Sequence, residues 1–244
     1  MSKSENKFEY TFWNFKETKL YKALEEKLTP PKSTVTWGQL DHISQLLHSG
    51  MFYETHTLLQ FYQDLPSEGL ILDIGANIGN HQLMFNQVWP GRPIFGIEGS
   101  PLNYYVLFNN TAKFKNIKNI CICLGEEPTI SEITHFSDNM GGSGIRFIAK
   151  RGDDGIHTIP VFIQPLDSIN FDQKISLMKI DVEHFELSVV KGAISTIALH
   201  KPVIWIEDFY FTENPTKSAV KYLQDKFNYK IINQSEVNYL LSVD

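Results

Sequence analysis

Residues 70–80 read LILDIGANIGN, and the order of these residues decides the fold. Three apolar residues, Leu70-Ile71-Leu72, run into Asp73. A turn carrying Gly75 and Gly79 follows, and then an amphipathic stretch from Asn80 to Val88. This is the order of a buried strand, a tight loop and a helix start. The two glycines let the backbone approach a ligand where a Cβ would clash. The helix start beyond them offers unpaired N–H groups. Such a unit places a nucleotide-like ligand at the carboxyl end of a parallel sheet.

The spacing excludes the commoner nucleotide loops. A dinucleotide loop needs G-x-G-x-x-G, whereas Gly75-Ala76-Asn77-Ile78-Gly79 holds its glycines four positions apart. The phosphate-cradling G-x-x-x-x-G-K-[ST] is absent, since Asn80 follows Gly79. Asp73, just before the loop, disfavours a pyrophosphate and tolerates a cation. S-adenosyl-L-methionine has a sulfonium, an amino group and no phosphate, and it meets these conditions. A second acid, Glu98, ends the run Ile94-Phe95-Gly96-Ile97. An acid about 20 residues beyond the glycine turn, at the tip of the second strand, is placed to bind both ribose hydroxyls.

The 244 residues favour one domain with a helical appendage. A net charge of −6 with no basic run argues against nucleic acid as a partner, because phosphate binding needs clustered Lys and Arg. Cys121 and Cys123 stand two apart in an expected strand, so they point the same way and do not bridge each other. They fit a reduced compartment. The start, MSKSENKFEY, is polar, and no window approaches the apolar length of a membrane span. The expectation is a cytoplasmic chain.

Residues 1–69 carry helical patterns. Glu17–Leu28 is stopped by Pro30-Pro31, Trp37–His48 ends near Gly50, and Met51–Asp64 leads to the turn before Leu70. We expect 1–69 to form a helical N-terminal cap on a domain spanning 70–244. The alternative is an interface with a partner, a homo-oligomer included. From Leu70 the alternation is regular, with strands at 70–74, 93–98 and 118–124 and helices at 79–89 and 101–113. Ser100 and Pro101 give the second helix a cap and a first residue. Residues 129–163 break the rhythm. Their β-like runs (Ile130–Phe136, Gly144–Ala149, His157–Ile163) and polar turns (Asp138–Gly142, Lys150–Gly155) predict an insertion of antiparallel strands. The rhythm resumes with strand Ile175–Ile180, helix Glu186–Leu199, strand Pro202–Glu207 and helix Lys217–Lys226. Tyr229–Ile232 and Tyr239–Val243 close the sheet as an antiparallel hairpin. The class is α/β, with a mostly parallel sheet and helices on both faces.

The run Lys179-Ile180-Asp181-Val182-Glu183 ends the fourth core strand. Alternation puts Lys179, Asp181 and Glu183 on one side for as long as the chain stays extended. Three charges there are expensive to bury unless paired or functional. Asp181, Glu183 and Asp208 are hard oxygen donors of the kind Mg²⁺ prefers, but no spacing demands a metal. The eight histidines show no zinc-like spacing. No metal is expected.

Three stretches together resemble the FkbM-type methyltransferases, a branch of the class I S-adenosylmethionine-dependent enzymes. They are LILDIGANIGNHQL at 70–83, DNMGGSG at 138–144, similar to the family's glycine-rich turn, and LMKIDVEHFELSVVKGA at 177–193. The resemblance implies a Rossmann-like class I methyltransferase fold with S-adenosyl-L-methionine as cofactor. Asp73, Gly75, Asn77 and Gly79 would line its methionine part, Glu98 would hold the ribose and Glu126 would lie near the adenine. In such a fold the end of the fourth strand lies beside the transferred methyl. That makes Asp181 the first choice for base or substrate orienter, Glu183 the second, and Lys179 the partner that keeps one of them ionised. His81, Asn139, Gly142, Ser143 and His184 are candidates for the substrate side. The implied reaction is O-methylation of a hydroxyl on a sugar, glycoconjugate or secondary metabolite, so the partner is a small-molecule or glycan acceptor. N- or carboxyl-methylation and a non-catalytic binding module are the alternatives. Two positions depart from the family pattern. Gly99 stands where proline is usual, and His184 stands where glycine is usual. A histidine at the second position is strained if the backbone there needs a positive φ.

Overall fold

The structure is a computed structural model that describes residues 19–37, 41–136, 139–145 and 156–243. Its centre is a seven-stranded sheet. The parallel part comprises β1 (Leu70–Ile74), β2 (Ile94–Glu98), β3 (Ile117–Cys121), β8 (Ile175–Ile180) and β9 (Val203–Glu207). A hairpin, β10 (Lys230–Ser235) and β11 (Asn238–Ser242), completes it. The spatial order is β10-β11-β9-β8-β1-β2-β3. All pairings from β9 to β3 are parallel, while β11 runs antiparallel to both β9 and β10. Strands are laid down outward from β1 on one side and from β8 on the other. The chain therefore switches direction between these two, and a crevice opens there at their carboxyl ends.

Alternation along β1 builds two cores. Ile71 faces one side with Tyr21, Leu24, Leu47, Phe52, Leu58, Leu83, Trp205 and Leu240. Leu70, Leu72 and Ile74 face the other with Met178, Val189, Ile197, Val220 and Tyr239. All five residues of β1 are buried, which is why the strand reads as a continuous apolar run. Each large side chain so buried stabilises the fold by about 1.5–3 kcal/mol. The first core includes three N-terminal helices, α1 (Lys19–Lys27), α2 (His42–His48) and α3 (Thr55–Phe61), together with α4 (Asn80–Val88). The second is covered by α6 (Glu186–Lys191), α7 (Ile194–His200) and α8 (Ala219–Phe227), while α5 (Pro101–Thr111) packs beside β2 and β3. The caps follow the sequence. Ser100 accepts from Asn103 N–H ahead of Pro101, and Ser218 accepts from Lys221 N–H, each worth about 1 kcal/mol.

A second sheet, in the order β4-β7-β5-β6, stands above the carboxyl ends. It contains β4 (Cys123–Leu124), β5 (Thr129–Phe136), β6 (Asn139–Ile145) and β7 (Ile156–Gln164). β5 pairs antiparallel with β6 and β7, while β4 pairs parallel with β7.

Several boundaries differ from the sequence expectation. The strand expected over 118–124 breaks at Ile122, whose N–H bonds to Glu98 O, so Cys121 and Cys123 belong to different sheets. Cys121 is exposed and Cys123 buried, rather than sharing a side. Residues 139–142, expected as a turn, form a strand because the ladder with β5 (Thr134↔Gly144, Phe136↔Asn139) satisfies their backbone groups. The helix expected over 186–199 divides at Gly192. A Cβ there would fall 1.9 Å from Gly125 O, and Asp167 starts the new helix by accepting from Ser195 and Thr196 N–H. The helix expected from Trp37 begins at His42, capped by Asp41. Glu17, Asp138, the part of Gly144–Ala149 beyond Ile145 and the expected turn Lys150–Gly155 lie outside the described residues.

Candidate active site

A cavity of about 220 Å³ opens at the carboxyl ends of β1, β2, β8 and β9, roofed by the second sheet. Its wall combines backbone at Gly75 and Asn77 with the acids Glu98, Asp181, Glu183 and Glu207 and an apolar side at Ile97, Ile122, Ile133 and Phe185. Gly75 has φ +79°, and a Cβ on it would fall 1.7 Å from Asp181 O. Only glycine lets the loop after β1 lie against the end of β8. Gly79, at φ +92°, caps α4.

Glu98 is tied on both oxygens. Asn77 N–H donates to Oε2 at 2.7 Å and Ser100 N–H to Oε1 at 2.8 Å. Burial pushes its pKa up to about 7, against those two N–H groups, with the charges of Asp73 and Asp181 adding to the rise. Asp73 lies behind this wall. It is fully buried, and neither carboxylate oxygen has a hydrogen-bond partner among the described residues. The Gln82 amide close to it donates instead to Asn119 Oδ1 at 2.9 Å. Burial raises the pKa of Asp73, opposed chiefly by the charge of Lys179, its neighbour across the β1–β8 ladder.

Lys179 is buried, with Nζ 3.0 Å from Asp181 Oδ2. Burial acts to lower its pKa, but Asp181, Asp73 and Glu54 outweigh burial and hold the ammonium protonated. Glu207, the last residue of β9, is driven well above the carboxylate range by burial and then by Asp181, Glu183 and Glu54. Glu54 goes the other way. Burial raises it, but the His81 contact, Lys179 and Asn238 bring it down to about 2. Asn238 Nδ2 donates to Glu54 Oε1 at 2.8 Å. His81 Nε2 sits 3.0 Å from Oε2, an ion-pair distance without the alignment of a hydrogen bond. Next to Glu54, Tyr53 lines the cavity with its backbone clamped by Asn80. Tyr53 N–H donates to Asn80 Oδ1 at 2.9 Å, and Asn80 Nδ2 donates to Tyr53 O at 3.0 Å.

The predicted residues divide into three groups. Gly75, Asn77, His81, Glu98, Asp181 and Glu183 line the cavity. Asp73, Gly79 and Lys179 stand behind its wall and shape it. Glu126 and His184 do not reach it; they line a separate open groove, where Glu126 pairs with Lys191 at 3.2 Å. Asn139, Gly142 and Ser143 have their backbone in β6, next to Gly144, which lines the cavity; their side chains lie outside the described residues. The alternation expected through Glu183 ends at Ile180, because Glu183 and His184 turn to φ 52° and 73°. The position where glycine is usual thus does take a positive φ here. Its N–H donates to Glu186 Oε1 at 3.1 Å. Gly99 is fixed by packing, since a Cβ on it would fall 2.3 Å from Cys123 Sγ. Asp208 accepts from Tyr210 N–H, Ser218 Oγ–H and Val220 N–H, which binds it into the chain after β9 rather than to Asp181.

Glu207, Tyr53, Glu54 and His42 were not singled out in the sequence. Glu207 carries the same signal as Glu98, an acid ending an apolar strand. The other three come from irregular chain or a helix start in the N-terminal region, with no local pattern to mark them.

Among the described residues that line the cavity, none is Lys or Arg. A phosphate-bearing ligand would meet only carboxylates at its acidic end. A phosphate-free cation with an adenosyl group suits it, because the apolar side could take a base, Glu98 could meet a sugar, and the crowded acids would gain a counter-charge. The residues therefore fit S-adenosylmethionine.

The strand order, with an antiparallel last strand inserted beside β9, and the glycine turn after β1 define a class I methyltransferase fold. The methyltransferase FkbM domain model matches residues 73–231, and the chain belongs to that family. Methyltransferase sdnD of Sordaria araneosa is 27% identical over 160 residues, 53% of this chain and 62% of that protein, so less than two thirds of that relative is spanned. Among solved structures, a methyltransferase FkbM from Methylobacillus flagellatus KT superposes with a TM-score of 0.49 at 17% identity, covering 91% of this chain and 57% of that one. The S-adenosylhomocysteine-bound methyltransferase PaMTH1 of Podospora anserina gives 0.45 at 11% identity, covering 91% and 93%.

Proposed function

We propose that the chain binds S-adenosyl-L-methionine in the strand-end cavity and methylates a hydroxyl of a sugar, glycoconjugate or secondary metabolite. The observation that carries this is the cavity wall: acids at the tips of β2, β8 and β9, with no Lys or Arg among its described residues. When bound, the cofactor supplies an electrophilic methyl on a good leaving group. What remains for the protein is alignment and proton transfer. Alignment is a proximity task that an enclosed cavity performs. Asp181 is positioned by the ammonium of Lys179 on one oxygen, which leaves the other to accept from an acceptor hydroxyl. A carboxylate that takes the proton as the hydroxyl reacts contributes about 10²–10⁴-fold.

Titration with S-adenosylhomocysteine tests the cofactor, and Asp181→Asn tests the chemistry. The variant should bind S-adenosylhomocysteine within a few-fold of the parent. It should lose at least about tenfold in turnover on an acceptor found with labelled cofactor. Preference for NAD or ATP, with indifference to S-adenosylhomocysteine, would overturn the cofactor assignment. Equal turnover by the two proteins would remove Asp181 from the mechanism.

A further inference from the structure

Beyond the loop that follows β8 lies a second, more open cavity of about 300 Å³. Phe185 lines both cavities, and the chain crosses between them in one step, from Glu183 in the first to His184 in the second. The groove's surface is aromatic and cationic. The exposed His184 ring lies 5.1 Å from that of Phe209 and 5.6 Å from that of Tyr210. Lys217 Nζ stands 5.6 Å from the Tyr210 ring centroid, and among the described residues no carboxylate pairs with it. Lys191 also lines the groove, and among the described residues its ion pair is with the exposed Glu126. Ser188 Oγ accepts from Glu126 N–H, which leaves its own O–H to donate.

The backbone holds the histidine in place at a cost. At φ 73°, directly after Glu183 at 52°, His184 occupies a conformation that glycine adopts freely and histidine resists. The ring's contacts with Phe209 and Tyr210 leave it exposed. A strained, exposed aromatic ring beside two cations and next to a reaction cavity is the kind of outlier that marks a binding surface.

We propose that this groove is a subsite for a sugar ring carrying an acidic substituent. The ring's C–H face packs on the negative π faces of His184 and Tyr210. The acid is drawn to Lys217 and Lys191, where charge-assisted hydrogen bonds are the stronger kind. Ser188 and Glu126 meet the hydroxyls. That this sugar is part of the methyl acceptor rests on the function proposed above; its binding does not.

Calorimetric or NMR titration of the full chain tests it with methyl glucuronide, glucose 6-phosphate, neutral methyl glucoside and inorganic phosphate. At least one acidic sugar should bind, and more tightly than methyl glucoside; which of the two binds identifies the acid. His184→Gly is the decisive variant because it removes the ring and relieves the backbone together. It should melt at or above the parent temperature and bind S-adenosylhomocysteine unchanged. It should lose at least about threefold in acidic-sugar affinity, the size of one ring contact. Lys217→Ala should abolish the preference over methyl glucoside. Three results would each overturn the subsite: no acidic sugar binding, equal binding by parent and His184→Gly, or phosphate alone binding as tightly as the sugar phosphate. Failure of S-adenosylhomocysteine to bind the parent would refute the cofactor assignment and leave these sugar titrations standing.

Discussion

Replacing Lys179 with methionine isolates the electrostatics on which the site is built. The Lys179 side chain is 1% exposed, and its ammonium lies 3.0 Å from Asp181 Oδ2, on a side chain that is 25% exposed. At that separation an effective dielectric near 20 gives an attraction of about 5–6 kcal/mol. Desolvation of the ammonium offsets several kcal/mol, and the exposure of Asp181 screens more, so the pair by itself contributes little net stability. Removing only the cation is different. Asp73 is then left fully buried without its chief counter-charge, with neither oxygen hydrogen-bonded among the described residues, and Asp181 and Glu54 lose part of theirs. Stranded buried charge of this kind costs about 3–5 kcal/mol, a large share of a total stability of about 5–15 kcal/mol. Methionine matches the length of the stem, so cavity formation adds little. The deficit should depend on pH with a definite sign. Without the ammonium, the folded-state pKa of Asp73 rises further above its unfolded value, so the folded state binds more protons and stability falls as pH rises. Lys179→Met should therefore lie about 3–5 kcal/mol below the parent by urea denaturation at pH 7.5, and closer to it at pH 5. Adding Asp73→Asn should recover part of the loss. A deficit within about 1 kcal/mol at pH 7.5, or one that widens on acidification, would refute the reasoning.

The parent protein without ligand should itself lose stability as pH rises from about 4.5 to 8. Glu98, at about 7, and Glu186, at about 8, are both held up by burial and keep protons that the unfolded chain releases near 4.5. Each pH unit of separation is worth about 1.4 kcal/mol. Glu186→Gln should flatten the upper part of the curve, because both neighbouring N–H groups donate to a single oxygen that glutamine keeps; urea midpoints from pH 5 to 9 check this, and a rising curve would contradict it. Gly99→Ala should destabilise by about 1–3 kcal/mol through its clash with Cys123 Sγ, and Cys123→Ala in the same chain should recover much of that loss. Simple addition of the two single losses would show that the contact is not the cause.

Residues 70–98 announced the fold and part of the cavity wall, because each step there is local. The apolar run, the glycine turn and the acid ending the next strand are neighbours in sequence and in space. The parallel order from β1 to β9 followed from the same alternation. The misplacements came where distant partners decide. Asn139–Gly142 looks like a turn by composition and becomes part of a strand because β5 offers it a ladder. A helix pattern over 186–199 is cut by Gly125 pressing on Gly192. The N-terminal side of the cavity was the least legible part. Tyr53 lines the cavity, and Glu54 stands beside it, only because Asn80, His81 and Asn238 hold them, across separations of 27 to 184 residues for the hydrogen bonds.

Those same contacts explain why so much unusual backbone gathers around the cavity. Among the described non-glycine residues, seven have positive φ. Lys201 and Asn228 end helices, and Glu236 turns the final hairpin, ordinary places for this conformation. Of the other four, Asn77 and Glu183 line the strand-end cavity, His184 lines the groove beside it, and Glu54 follows the cavity-lining Tyr53. Nearby carboxylates or their partners secure three of them. Glu98 accepts the N–H of Asn77, Glu186 that of His184, and Glu54 is itself gripped by Asn238 and His81. Glu98 and Glu186 are thus buried acids whose first task is to hold strained loops, and only Glu98 also shows a face to the cavity. Because each oxygen that grips a loop is drawn away from water, the same contacts that fix the backbone leave the acids short of counter-charge. The site's geometry and its affinity for a cation therefore arise from one arrangement, and a substitution that removes the Glu98 carboxylate should weaken both together.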